Sequence, residues 1–195
     1  MATLVSVLQV LHVLAAILMA WPFYALVAVN ERARLGPPVG DRLDNYLESV
    51  LKGRVFPCFV FQATVMGTGL GLIVLHGLGF EALLVNPALG AKFSLLILIG
   101  VLLGYVHRKL QPKIDALFAT APHGPVSLDT AKAIASLRLR RKRLASICLF
   151  SVLTMAMLGV QVWGPFPSWL SLLLLGALAL FTYRAYRSTT PYGWV

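Results

Sequence analysis

The chain has 195 residues, of which 58% are hydrophobic and only 12% charged, with a mean hydropathy of +0.81. A soluble domain carries about 25% charged residues, so this composition excludes an ordinary soluble enzyme and points to the bilayer. The net charge of +10 does not point to nucleic acid, because the basic residues fall in the gaps between apolar runs, where membrane topology accounts for them.

A helix needs about 20 mainly apolar residues to cross the hydrocarbon core. The opening run, VSVLQVLHVLAAILMAWPFYALV, supplies a first span over about 4–29. It is too long for a signal-peptide core and lacks a small-x-small cleavage site, and Pro22 is expected to kink it. Next, GDRLDNYLESVLKGRVF sets Leu43, Tyr46, Leu47 and Val50 at i, i+3, i+4 and i+7. That spacing predicts an amphipathic helix lying on the headgroups. A second span follows over about 55–78 and a third over about 89–107.

SLDTAKAIASLRLRRKRLASI then begins with a capping residue, Ser127, and runs without a break into a fourth span over about 144–163. This helix is expected to project beyond the membrane. WGPFPSW forms a tight turn, since its prolines cannot continue a helix and its tryptophans suit the interface. A fifth span covers about 167–186. The expected fold is all-α: a polytopic integral membrane protein of five transmembrane helices, with a four-helix-bundle core plus a C-terminal fifth helix. The whole chain, 1–195, reads as a single membrane domain.

The charges orient it. Sixteen of the seventeen Lys and Arg residues fall in the loops 30–54 and 108–143 or at the end of the fifth helix, and the exception is Lys92. The positive-inside rule then places the N-terminus outside and the C-terminus in the cytoplasm, which fits a bacterial inner membrane. The cluster RLRRKR (138–143) reads as a topological stop signal. Cys58 and Cys148, far apart and inside apolar runs, read as buried inert thiols.

Unpaired polar groups in lipid cost several kcal/mol, so intramembrane polar residues are functional candidates. His12 lies about two turns below the outer end of the first helix, and His76 in the last turn of the second. The helices run oppositely, so both histidines share a leaflet, offset by ~5–8 Å in depth. They are candidate ligands of one haem iron, with Gln9 and Gln62 as candidate hydrogen-bonding partners. Lys92 breaks the charge rule at the same level and suits a propionate or a substrate carboxylate. His107 and His123 read as interface residues. Ala63, Gly67 and Gly71 form a small-xxx-small stripe matched by Gly100 and Gly104, which predicts that the second and third spans pack together. Gly69 leaves room for a flat macrocycle. The methionines show no ligand-like spacing for copper, and there is no P-loop, GxGxxG, HExxH or nucleophile elbow.

Three stretches carry a distant resemblance to the HemJ-type protoporphyrinogen oxidases and the CopD-like membrane proteins of four to five helices. LQVLHVLAAI is similar to that family's first helix with its histidine at His12. LKGRVFPCFVFQATVMGTGLGLIVL is similar to its glycine-rich second helix, and GAKFSLLILIGVLLGYVHRKLQPKI to its third helix, which opens with a lysine at Lys92. The resemblance implies a haem b or porphyrin site using His12 and Lys92, and oxidation of protoporphyrinogen IX with electrons passed to a respiratory chain. Three expectations therefore stand together. One is a haem-b-binding redox or supporting subunit of a respiratory or photosynthetic membrane complex. Another is a HemJ-type oxidase. The last is a cofactor-free structural subunit.

Overall fold

A computed structural model describes residues 2–34, 39–53, 55–120 and 126–187. Arg54 of the first basic loop and His123 lie outside these residues. Eight α-helices cover most of the described chain, with no strand among the described residues: α1 (Ala2–Asn30), α2 (Arg42–Gly53), α3 (Val55–Leu75), α4 (Ala82–Val85), α5 (Pro87–Tyr105), α6 (Gln111–Phe118), α7 (Leu128–Trp163) and α8 (Ser168–Arg187). A 3-10 turn, Glu31–Arg34, closes α1, and a π turn, Val106–Leu110, joins α5 to α6. Five helices are long and apolar enough to cross a membrane. They are α1, α3, α5, α7 and α8, and the fold is that of a polytopic membrane protein with five spans.

Local chemistry sets the boundaries. Helix α3 ends in a Schellman turn: Leu78 N–H donates to Ile73 O and Gly77 N–H to Val74 O, with Gly77 at φ +70°. His76 is the last residue before that glycine. Helix α5 starts where the Asn86 side chain accepts from the N–H groups of Ala88 and Leu89, with Pro87 in the first turn. The Ser127 hydroxyl accepts from Thr130 N–H and caps α7. Helix α1 continues through Pro22 without a break.

Helix α7 has 36 residues. At 1.5 Å per residue it is ~54 Å long, against ~30 Å of hydrocarbon. Its first turns therefore stand beyond the apolar layer, as do α2 and α6. Two ends of the bundle follow: a histidine end, where α1 and α5 begin and α3 and α7 finish, and a charged end opposite.

Helix α1 lies against α3 and α7, α5 packs on α7, and α8 leans on α7 and α1. The core combines Met19, Phe23 and Val27 of α1 with Cys58 and Val65 of α3, Leu96, Ile99 and Leu103 of α5, and Cys148, Leu149, Val152 and Met155 of α7. Both cysteines are buried in it. Helix α8 adds only the partly buried Phe181 and Ala185, so it is the fifth helix outside a four-helix core. Outward residues such as Val10, Ile17, Trp21, Val101 and Leu172 are apolar and exposed, as a lipid-facing surface requires.

Helices α3 and α5 do touch, but most of the predicted glycines are not what joins them. Gly67 and Gly104 have no neighbour where a Cβ would sit, and Gly71 faces Leu8 of α1. Gly100 is the one at the contact, under Gln62, which donates to Leu96 O at 2.7 Å. A Cβ on Gly100 would meet Gln62 Nε2 at 2.6 Å. Gly100→Ala is therefore expected to displace the amide and lower Tm by about 2–4 °C, the loss of one hydrogen bond. Gly67→Ala is expected to leave Tm unchanged or raise it, because helical Ala is favoured over Gly. Thermal unfolding of the two variants in nanodiscs checks the pair.

Helix α2 forms where the apolar stripe predicted it, and that stripe points outward, with Leu43 and Tyr46 64% and 63% exposed, while Asp44 and Glu48 are 7% and 4% exposed. Asp44 pairs with Arg138 and Glu48 with Arg141. The helix thus runs alongside the early turns of α7 with its acidic face inward.

Candidate functional site

At the histidine end, His12 reaches across from α1 to α3. Its Nδ1 lies 2.9 Å from Thr68 Oγ1. The Thr68 hydroxyl has a single proton, and its shortest contact is to Thr64 O, at 2.6 Å. That proton is committed to the helix backbone, so the bond to the imidazole must run from His12 Nδ1–H to the hydroxyl oxygen. The tautomer follows from this hydrogen-bond network: Nδ1 carries the hydrogen and Nε2 keeps its lone pair. This is the arrangement in which one ring nitrogen is oriented by a hydrogen bond and the other is available as a base or a metal ligand.

Gly69 is the reason the ring fits. A Cβ there would sit 3.1 Å from His12 Cε1, so the space expected for a macrocycle is taken by the imidazole itself. Lys92 enters from α5 and lays its ammonium against α7, with Nζ 3.3 Å from the place a Gly159 Cβ would occupy. Residues from α1, α3, α5 and α7 thus converge at this end. His76 is exposed at the end of α3, about two turns beyond the point where the His12 ring rests. His12 and Lys92 lie at the same end of the bundle, and His76 stands apart from the Thr68 contact. Gln62, considered as a partner for His12, spends its amide N–H on Leu96 O. His107 sits edge-on to Phe59 at the charged end. Among the described residues no group of three or more His, Cys, Asp or Glu side chains is placed to hold a metal ion.

The charged end holds a second polar centre that sequence reasoning missed. Arg138 makes a two-pronged pair with Asp44 at 3.0 and 2.8 Å and also reaches Glu48 at 3.2 Å. Arg141 clasps both oxygens of Glu48 at 2.6 and 3.1 Å, donates from Nε to Asn30 Oδ1 at 2.9 Å, and donates from Nη1 to Gln111 Oε1 at 2.6 Å. Gln111 Nε2 donates back to Glu48 Oε1 at 3.0 Å. Arg32 joins Glu48 and donates to Asp44 O at 2.8 Å. Lys142 pairs with Glu31 beside the Tyr186 ring. Arg138, Arg141 and Lys142 are at most 1% exposed.

RLRRKR is therefore divided: those three turn inward, while Arg140 and Arg143 face out, Arg140 over the Tyr105 ring. Burying such pairs is costly unless the remaining donors and acceptors are bonded, and the guanidiniums and amides here supply most of those bonds. Each carboxylate oxygen of Glu48 is taken by an arginine or glutamine nitrogen. The cluster is a clamp joining α1, α2, α6 and α7, with no carboxylate oxygen of Glu48 left as a proton acceptor.

The site and the fold together define a class: an all-helical membrane protein of five spans, with an oriented histidine at one end and a closed ion-pair clamp at the other. Comparison with known proteins adds no narrower identity, since no family model, curated sequence or solved structure matches the chain.

Proposed function

We propose that this protein binds haem b through His12 and serves as a redox or supporting subunit of a larger respiratory or photosynthetic complex. Its place is the bacterial inner membrane, N-terminus outside. The observation that carries the reading is the 2.9 Å contact of His12 Nδ1 with Thr68 Oγ1, whose own proton goes to Thr64 O: with Nδ1–H donating there, Nε2 keeps the lone pair that iron would take. Bound there, haem would supply one-electron chemistry. The chain's own part is to aim the imidazole through Thr68 and Gly69 and to offer Lys92 as the cation for a propionate. The fit rests on His12 more than on His76, whose backbone is built into the exposed Schellman turn. The donor set suits a porphyrin iron with one ligand from this chain better than a copper or zinc ion, which takes several protein ligands.

An air-oxidised and dithionite-reduced spectrum of the purified protein tests this. The expected result is a Soret shift with sharpened α and β bands on reduction. A flat difference spectrum in protein purified from cells supplied with haem precursors leaves only the cofactor-free structural subunit.

One observation favours a second reading, the HemJ-type oxidation of protoporphyrinogen IX. The Lys92 ammonium lies against Gly159 of α7 at the same end as His12, and a cation there would suit a substrate carboxylate. Expression in a strain lacking protoporphyrinogen oxidase separates the readings, and failure to restore growth by well-expressed protein removes this one.

A further inference from the structure

Helix α8 has 20 residues, which at 1.5 Å each is ~30 Å, the thickness of the hydrocarbon layer. Its two ends therefore stand at the two headgroup levels, marked by exposed Trp169 at the start and exposed Tyr183 near the finish. Along one side, Leu173 and Leu180 are 58% and 61% exposed. At about 100° per residue, Arg184 and Arg187 fall with them inside a sector of about 60°, and both arginines are exposed. One strip of α8 is thus apolar at membrane depth and doubly cationic where the headgroups begin.

Neighbouring helices add charge at that level. Arg34, at the close of α1, donates from Nη1 to Arg187 O at 3.4 Å, and its guanidinium lies 5.8 Å from the centre of the Tyr186 ring. Lys142 of α7 lies 5.4 Å from the same ring. Glu31 pairs with both Arg34 and Lys142, so one carboxylate serves two cations. Among the described residues neither Arg184 nor Arg187 pairs with a carboxylate. Arg187 Nη1 donates to Tyr183 Oη at 3.1 Å, which uses one of the several N–H donors of its guanidinium. The corner is cationic in excess and has donors to spare.

We infer that this corner binds an anionic phospholipid, whose phosphodiester docks on Arg184 and Arg187 beside Arg34 and whose acyl chains lie along Leu173 and Leu180. Guanidiniums match phosphate oxygens with paired N–H groups. Each basic residue near the membrane surface strengthens attraction to an anionic lipid about five-fold. A soluble anion would meet the same guanidiniums but has no use for the apolar strip that continues from them. A phospholipid uses both. The site also bears on assembly: α8 gives the core only the partly buried Phe181 and Ala185, so a headgroup shared by Arg187 and Arg34 fastens the fifth helix to α1.

Native mass spectrometry of the full chain, released from nanodiscs of phosphatidylglycerol and phosphatidylcholine in equal parts, provides the test. Wild type is compared with Arg184→Gln/Arg187→Gln and with Arg140→Gln/Arg143→Gln, which removes the same charge from outward residues of α7. Wild type and the α7 variant are expected to retain phosphatidylglycerol over phosphatidylcholine, and the α8 variant to lose that preference by about 5- to 30-fold. No preference in wild type, or one that survives in the α8 variant, overturns the inference. An equal loss in both variants overturns it too, by making the preference a property of the whole basic belt. Inorganic phosphate is the last arm: a wild-type Tm that rises with millimolar phosphate in pure phosphatidylcholine nanodiscs, and does not rise for the α8 variant, assigns the corner to a soluble anion instead of a lipid.

Discussion

Glu48→Ala is expected to lower the unfolding temperature by about 10 °C or more, or to abolish recovery of folded protein from the membrane. The removed carboxylate bonds Arg32, Arg138, Arg141 and Gln111. Breaking a buried ion pair from one side costs about 3–5 kcal/mol, because the partner charge stays buried without compensation. Here three guanidiniums lose a partner at once: Asp44 still pairs with Arg32 and Arg138, while Arg141 keeps no carboxylate among the described residues. For a chain of this size each kcal/mol moves Tm by about 2–4 °C.

The contrast that isolates the mechanism is Asp129→Ala. Its pair with Lys132 is a 3.9 Å contact between side chains 98% and 82% exposed, and such pairs contribute little, so its Tm should match the wild type. A second contrast uses the sign of the charge. Glu48→Leu combined with Arg141→Leu removes both members of the central pair and should recover part of the loss that Glu48→Ala causes. A Glu48→Ala protein that melts within about 2 °C of wild type would mean that the cluster is hydrated, and the clamp would have to be abandoned.

That cluster also shows where sequence reading stops. The spans were legible because they follow from one-dimensional quantities, apolar length and the ends at which charges gather. The long α7 was legible for a similar reason: Ser127 caps it and nothing between that residue and Gly164 breaks it. Helix α2 was legible from one of its two faces, Leu43–Tyr46–Leu47–Val50; the role of the other, Asp44–Glu48–Leu51, was not. That face is held by partners far along the chain, Arg138 and Arg141, which sit on one face of α7 at a spacing that meets Asp44 and Glu48. A topological reading had already accounted for those arginines, so their match to the acids went unnoticed. The signal was available as a pairing of i, i+4 acids with i, i+3 bases.

At the histidine end the sequence pointed to His12 but not to what holds it. A histidine in an apolar run demands a partner, and glutamines looked the natural donors. The partner is Thr68, which serves because its own proton is spent on Thr64 O. Gly69 was rightly singled out as a gap, yet the gap receives the imidazole. Threonine and glycine in succession are unremarkable on α3 until α1 is laid against them, and that packing is a property of the pair of helices.

His12→Ala is expected to remove the reduced-minus-oxidised haem spectrum entirely, and Thr68→Val to keep it in altered form. The first change deletes the only lone pair that the niche aims. The second preserves side-chain volume and leaves Nε2 in place, but it strips Nδ1–H of its acceptor, and with it the bond that orients the ring and raises its basicity. Losing such an outer partner commonly weakens a bound metal group about 10- to 100-fold. Thr68→Val protein should therefore lose haem on dilution and show a midpoint potential shifted from wild type, measured by spectroelectrochemistry. Thr64→Val makes a control, because the Thr68 bond uses the Thr64 carbonyl and not its side chain, whose hydroxyl donates to Val60 O. If His12→Ala retained the full spectrum while Thr68→Val was silent, iron would be held elsewhere and the oriented imidazole would be a packing feature of α1 on α3. If His12→Ala lost the bands while Thr68→Val kept them in altered form, the hydrogen bond between the two helices would be the element that tunes the cofactor.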